Sequence, residues 1–149
     1  MTAIWNPQAT RGLAPEQIIE QMNLFCQQSA VAHLGIRFSK ITDNTLEATL
    51  TLDHRTQQPW GLLHGGISAA LAETLGSAGS GLMCDENQVA VGTELSISHL
   101  KSVKQGVVTG VAKPLHLGGS SQVWQIEIFD EEGNLCAISR LTNRILEKR

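Results

Sequence analysis

Cysteine is scarce in this 149-residue chain, and the three present do not pair by pattern. Cys26, Cys84 and Cys136 are odd in number and widely spaced, with no CxxC step. That excludes a disulfide-stapled scaffold and a cysteine metal knuckle, and points to a reducing, cytoplasmic setting. Excess charge is missing too: 11 basic against 14 acidic residues leave a net charge of −3. No basic field is available for nucleic acid or for an anionic membrane surface, and neither partner is expected. HExxH, GxSxG and P-loop motifs are all absent, and the five histidines lack ligand spacing. No metal, no cofactor and no serine nucleophile are therefore expected. There is no internal repeat and no low-complexity segment. The first residues, Met1 to Pro7, carry no basic segment leading into an apolar run, so a secretion leader is not expected either.

What remains is an ordinary globular composition, 42% hydrophobic and 17% charged, with chain enough for one domain over 1–149 and a real core. Residues 1–14 read as a loose lead-in. Pro15-Glu16-Gln17 opens an amphipathic helix that runs to about Gln28, with Ile18, Ile19, Met22 and Phe25 at helical spacing. Leu34 to Asp53 reads as a hairpin turning at Asp43-Asn44. In its second strand Leu46, Ala48, Leu50 and Leu52 alternate with Thr45, Glu47, Thr49 and Thr51. A loop over 54–63 leads to a helix over about 65–83. Thirteen of those nineteen residues are Gly, Ala, Ser or Thr. Four strands follow, near 88–103, 106–117, 122–130 and 134–146, joined by short loops that suit antiparallel neighbours. The order predicts an α+β fold: a curved, mostly antiparallel sheet wrapped around one long central helix, with an N-terminal helix beside it. Small residues on the central helix let the sheet approach closely.

Glu73 is the only formally charged side chain between Arg55 and Asp85, and it sits at the centre of the small-residue helix. A carboxylate there argues against a membrane span and is costly to bury without a partner. Either a structural Arg or backbone donor pairs it, or it acts chemically. At the start of the same helix, Gly65 and Gly66 bare backbone N–H groups at a positive dipole end. Such groups can hold a carbonyl oxygen that turns negative under attack, or the glycines can serve packing alone. Eight residues of helix separate Glu73 from Gly65 by about 12 Å. One chain cannot bring both to one carbonyl. Two helices running antiparallel across a twofold axis can, which predicts a homodimer with shared sites.

Other residues fall within reach of such a site. Ser77, one turn beyond Glu73, either holds the carboxylate or a water, or packs the helix. His64 caps the helix or meets substrate, and Gln58 flanks the same loop. Trp60 walls an aromatic pocket or closes the core. His99, Lys101 and Lys104 cluster toward one strand end, with Lys113 and His116 on the next strand. With Gly118-Gly119-Ser120-Ser121 they can receive phosphates. Lys104 and Lys113 read better as solvated strand ends.

The runs Gln58-Pro59-Trp60-Gly61-Leu62-Leu63-His64-Gly65-Gly66 and Leu71-Ala72-Glu73-Thr74-Leu75-Gly76-Ser77 resemble the hotdog-fold acyl-CoA thioesterases. The likeness is to the branch holding the Arthrobacter-type 4-hydroxybenzoyl-CoA and phenylacetate-pathway enzymes. Val91-Gly92-Thr93-Glu94, Lys113 to Gly118 and Trp124 to Asp130 narrow it toward the relatives that hydrolyse 1,4-dihydroxy-2-naphthoyl-CoA in menaquinone synthesis or proofread aryl carrier protein in enterobactin synthesis. The similarity runs from about Val31 to Glu147. It implies a hotdog fold and hydrolysis of an aromatic acyl-CoA thioester. Glu73 would be nucleophile or general base, and the Gly65 N–H the carbonyl polariser. Gln58 and His64 would orient the acyl group near the thioester, and Ser77 would assist around Glu73 or the aryl ring. The resemblance further implies that Val91, Gly92, His99, Leu100, Lys101 and Ser102, together with His116, Leu117, Gly118, Gly119, Ser120 and Ser121, meet the coenzyme A arm. It also implies dimers paired into homotetramers, with acyl-CoA or an aryl carrier protein as substrate partner. Two departures weaken phosphate binding: Ser120-Ser121 stand where relatives often hold a basic residue, and Lys101 where an Arg is frequent. A hotdog dehydratase would need a His–carboxylate pair in another loop pattern. A non-catalytic acyl-CoA sensor would have no use for Glu73 beside a glycine helix start.

Overall fold

A computed structural model describes residues 3–149; Met1 and Thr2, the start of the lead-in, lie outside the described residues. Four helices and six strands follow one another: α1 (Pro7–Thr10), α2 (Pro15–Phe25), α3 (Ala30–His33), β1 (Arg37–Ile41), β2 (Leu46–Thr51), α4 (Gly65–Gly81), β3 (Gln88–His99), β4 (Val107–Leu117), β5 (Ser121–Phe129) and β6 (Leu135–Glu147). The strands form one sheet in the order β1-β2-β4-β5-β6-β3, and every pairing is antiparallel. The sheet wraps α4, which is the hotdog arrangement expected. The sequence-based bounds hold to within a few residues, except that β3 ends at His99 rather than 103 and α2 at Phe25 rather than Gln28. The short helices α1 and α3 were not expected.

The alternation in β2 does what its period requires: Leu46, Ala48, Leu50 and Leu52 all face the core. From α4, Ser68, Leu71, Ala72, Leu75, Gly76, Gly79 and Ser80 are buried, the spacing of one helix face. Fully burying Leu71 or Leu75 contributes about 1.5–3 kcal/mol each. Two glycines show how near the layers lie. A Cβ on Gly110 of β4 would stand 2.5 Å from Leu75 Cδ1, and one on Gly79 would stand 2.9 Å from the Trp124 ring.

The described part of the lead-in is not loose. Trp5 is buried and stacks on the fully buried Trp124, ring centroids 6.0 Å apart, and its Nε1–H donates to Thr42 O at 2.6 Å. Ile4 N and Asn6 N donate to Asp43 O and Leu82 O. Residues 4–6 thus bridge the β1–β2 turn to the far end of α4. Asn23 fastens α2 to β1: its Oδ1 accepts from Phe38 N and its Nδ2 donates to Phe38 O, both at 2.9 Å.

Candidate active site

The N-terminus of α4 is built around His64. Its backbone lies in the extended region, and its Nδ1 accepts from Gly66 N at 2.9 Å. His64 O accepts from Ile67 N and Ser68 N. Of the first-turn donors, this leaves the Gly65 N–H without an acceptor among the described residues. It lies at a cavity of about 310 Å³ whose walls include Gln58, Ser68, His99, Ser102 and Cys136. A Cβ at 65 would stand 2.9 Å from His99 Nε2, so any larger residue there must push the His99 ring aside. A free N–H, a positive helix end and an open cavity are what a developing oxyanion needs. Burial pushes the Cys136 thiol up, so it presents no ready thiolate nucleophile to this cavity.

Glu73 occupies a different place. It is half-buried and has no Arg or Lys partner among the ion pairs of the described residues. Ser77 Oγ donates to Glu73 Oε1 at 3.4 Å, a long hydrogen bond. The carboxylate lies against β3 where Gly92 has no side chain: a Cβ on Gly92 would stand 2.1 Å from Glu73 Oε1. A bulge between Gly92 and Glu94 shifts the β3–β6 register at this point. Beside Glu73 opens an apolar groove of about 510 Å³ between α2 and α4, walled by Met22, Phe25, Cys26, Val31, Phe38 and Ala78. Burial raises the Cys26 thiol as well.

Gly65 and Glu73 therefore face separate cavities of one chain, as the helix geometry required. The remaining candidate residues divide. Gln58 and His99 join Gly65, with Leu100, Lys101 and Ser102 along the same cavity. Gln58 Oε1 is taken by Trp60 N. Trp60 itself is 84% exposed, so it does not close the core. Lys101 is turned away to the Asp130 carboxylate at 2.7 Å, with Glu132 further off at 3.9 Å. Asp130 is held well below the usual carboxylate range by Lys101 and then by Asn134. Val91 faces outward from the free edge strand, while Gly92 belongs with Glu73. His116, Leu117, Gly118, Gly119, Ser120 and Ser121 form the β4–β5 turn, closed by Gly118 N donating to Ser121 O at 3.0 Å. No side chain of that turn is basic apart from His116.

The groove residues of α2 and β1 were not foreseen as site residues. Met22 and Phe25 carried the signal, since both fall on the helical apolar stripe, but the stripe alone does not say whether it faces core or cavity. Phe25 is 92% exposed.

Residues 61–137, which carry Gly65, Glu73, Gly92 and His99, match the model of the thioesterase superfamily. The chain belongs to that superfamily. It is 52% identical to the 1,4-dihydroxy-2-naphthoyl-CoA hydrolase of Escherichia coli over 86% of this chain and 94% of that one. It is also 52% identical to a proofreading thioesterase of Cronobacter sakazakii, over 86% and 93%. Among solved structures, a Pseudomonas aeruginosa thioesterase bearing a glutamine-to-alanine substitution superposes with TM-score 0.90 at 37% identity, covering 98% of this chain and all of that one. As a member of this family the chain is a thioester hydrolase. No helix among its described residues is long and apolar enough to cross a membrane.

Proposed function

We propose that the chain hydrolyses an aromatic acyl-CoA thioester at sites shared between two copies, with Gly65 N–H polarising the carbonyl and Glu73 supplying the attack. The observation that carries this is the Gly65 N–H left without an acceptor at its cavity, in a chain whose only carboxylate on that helix faces the apolar groove. Both groups abut the edge strand β3, Glu73 at Gly92 and Gly65 at His99. β3 pairs with β6 on one side only, and Val89 and Val91 on it are exposed. If two β3 edges pair antiparallel midway between Gly92 and His99, Glu73 of one copy comes beside Gly65 of the partner subunit. Pairing also removes a long exposed edge, which sheets rarely leave open. Two such dimers would then assemble as a tetramer.

A thiolate leaves readily, so the site must chiefly polarise the carbonyl and deliver oxygen. Glu73 either attacks to give a mixed anhydride, which water then hydrolyses, or takes a proton from the attacking water. His64 and Gln58 stand at the carbonyl end, and Ser77 holds the carboxylate. The coenzyme A arm follows the His99–Ser102 segment, with the β4–β5 turn as a further contact. Support for an aromatic acyl group comes from the groove's apolar walls and from the naphthoyl-CoA hydrolase relative, and the same relative supports a place in menaquinone synthesis. The Cronobacter relative supports a second substrate form, an acyl group borne by an aryl carrier protein.

The test is thiol release from benzoyl-, naphthoyl-, phenylacetyl- and straight-chain acyl-CoAs and from acylated aryl carrier protein, each with wild type and Glu73→Gln. Expected is turnover of an aryl thioester that falls by about 10²–10⁴-fold in the variant. Near-wild-type turnover by a folded Glu73→Gln protein would overturn the role of Glu73.

A further inference from the structure

Two buried side-chain oxygens accept from no donor among the described residues, Gln122 Oε1 and Asn143 Oδ1. They belong to one row across the sheet. Gln122 on β5 is the register partner of Asn143 on β6, and Asn143 is the register partner of Gly92 on β3. Residues directly opposite each other in a ladder share a face of the sheet. Here it is the face turned to α4, since Asn143 is fully buried and bonds to that helix. The row ends at Glu73. A Cβ on Gly92 would stand 2.1 Å from Glu73 Oε1 and 3.5 Å from Asn143 Oδ1, so both oxygens border the space beside Gly92.

The orientation of the Asn143 amide is fixed. Its Nδ2 donates to Gly76 O at 3.0 Å and to Ser80 Oγ at 2.8 Å. A backbone carbonyl can only accept, so Nδ2 and not Oδ1 must face Gly76. Both amide hydrogens are then spent on α4, and Oδ1 is left toward Gly92 and the carboxylate. Two acceptors thus border one narrow space with no hydrogen between them, an arrangement that is costly while Glu73 is ionised. Once the carboxylate takes up a proton, its O–H has an acceptor already in place. Rotation about the Cγ–Cδ bond of Glu is soft, so a proton taken on either oxygen can turn toward Oδ1. The hydrogen bond exists only while the base holds the proton, and an interaction confined to that stage lowers the barrier.

We propose that Asn143 is a positioning residue of this thioesterase, its Oδ1 accepting from the Glu73 carboxyl while Glu73 holds the proton of the attacking water. The proposal rests on Glu73 being the reacting carboxylate and acting as general base. In that reaction the water oxygen bonds to the thioester carbonyl carbon as its proton passes to Glu73, and the carbonyl oxygen takes the negative charge. The carbonyl then re-forms, the C–S bond breaks, and the departing thiolate takes the proton from Glu73, which restores the carboxylate. Asn143 makes its hydrogen bond between those two proton transfers.

The experiment measures thiol release from benzoyl-CoA and thermal melting for the full chain carrying Asn143→Leu, Glu73→Gln or both, with Ser80→Ala as the control for the amide's anchorage. Asn143→Leu keeps the size of the side chain and removes Oδ1; Asn143→Val, a smaller strand former, replaces it if that protein does not fold. The kcat of Asn143→Leu should fall about tenfold or more, with KM within roughly twofold of wild type. Ser80→Ala should melt lower yet keep its kcat, so the fall is not the mark of a loosened interior. Glu73→Gln sets an N–H donor where the carboxyl proton would stand. It should melt about 2–4 °C above wild type, and that gain should vanish when residue 143 is leucine. The proposal is overturned by an unchanged kcat in folded Asn143→Leu, or by an equal fall in Ser80→Ala. It is also overturned if Glu73→Gln melts no higher than wild type, or gains equally with and without Asn143. Failure of the underlying reading is a separate result, seen when Glu73→Gln keeps its turnover of benzoyl-CoA or when acid quenching traps an acyl group on Glu73.

Discussion

At the scale of single residues, two places concentrate cost. Ser80 Oγ, on the buried face of α4, accepts from Trp124 Nε1 and from Asn143 Nδ2, both at 2.8 Å, and Asn143 Nδ2 also donates to Gly76 O. Removing that hydroxyl strands the Trp124 donor in a dry interior, where an unmet polar group costs about 1–3 kcal/mol. Ser80→Ala should therefore lower unfolding stability by about that amount in urea titrations, while Glu73-dependent turnover survives at temperatures where the protein stays folded. A loss below a few tenths of a kcal/mol would show that the interior repacks or admits water. The second place is Gly92. Its missing side chain leaves the space that the Glu73 carboxylate occupies, and a Cβ would stand 2.1 Å from Oε1. The intruded atom ends a flexible side chain, so Gly92→Ala should fold normally yet displace the carboxylate. Turnover should drop by about tenfold to a hundredfold, since small misplacements of a reacting group are expensive. Equal rates for Gly92→Ala and wild type would mean that Glu73 reacts from another rotamer.

At the scale of elements, the fold was legible where a period met a single consequence. The alternation from Leu46 to Leu52 can satisfy only a strand with one buried face, and the small residues of α4 admit only a sheet at close range. The candidate site on α4 was legible for a related reason: Glu73 departs from its small, uncharged surroundings, and such departures are where a site is proposed. Less legible was α2. Ile18, Met22 and Phe25 share a stripe, but a stripe reports avoidance of water and not what lies opposite it. Ile18 meets the core, while Met22 and Phe25 wall a groove whose other side is α4, some fifty residues away in sequence. The lead-in was misread because a lone Trp in a polar stretch has no period at all, and only the distant Trp124 explains its burial. The edge strand β3 carries the element-scale prediction. On the proposed reading, Gly65→Val would set a side chain against the His99 ring and block the carbonyl site, and Glu73→Gln would disable attack. If sites form across paired β3 edges, a mixed dimer has one site with both defects and one with neither. Mixing the two inactive proteins under subunit exchange should restore thiol release. Continued inactivity in a mixture that mass measurement shows to be heterodimeric would overturn the site shared between Gly65 of one copy and Glu73 of the other.

For the molecule as a whole, two surface ion pairs fasten loops to the frame and give it a pH dependence with a definite sign. Arg55 binds Asp53 and also donates to His33 O, tying the segment after β2 to α3. Lys101 binds Asp130 beside the Gly65 cavity, tying the segment after β3 to the β5–β6 turn. Hydrogen bonds from Arg55 bring Asp53 from its ordinary 3.8 to about 2, and Asp130 is held low by Lys101. A carboxyl whose folded value is depressed contributes stability that is present above its unfolded value and lost as pH falls through the folded one. Asp53 thus stabilises above pH 3.8 and ceases to do so near pH 2, and Asp130 releases lower still. Lys101 is raised above its ordinary 10.5 by the Asp130 hydrogen bond. Its contribution is complete below that value and fades as pH rises past it. Between those limits these groups give a flat plateau. Both pairs are solvent-exposed, so salt should flatten their effect further. Melting temperature against pH for wild type, Asp53→Asn and Asp130→Asn is the measurement. Each variant should melt lower than wild type across the neutral range. The gap should narrow for Asp53→Asn as pH drops from 3.8 toward about 2, and high salt should reduce both gaps at neutral pH. A gap that stays constant through the acid range would mean that the two asparagines act through lost loop geometry and not through charge. The Lys101–Asp130 pair would then be a shape-holding contact at the mouth of the Gly65 cavity, and the Asp130→Asn protein should show it as a raised KM at neutral pH.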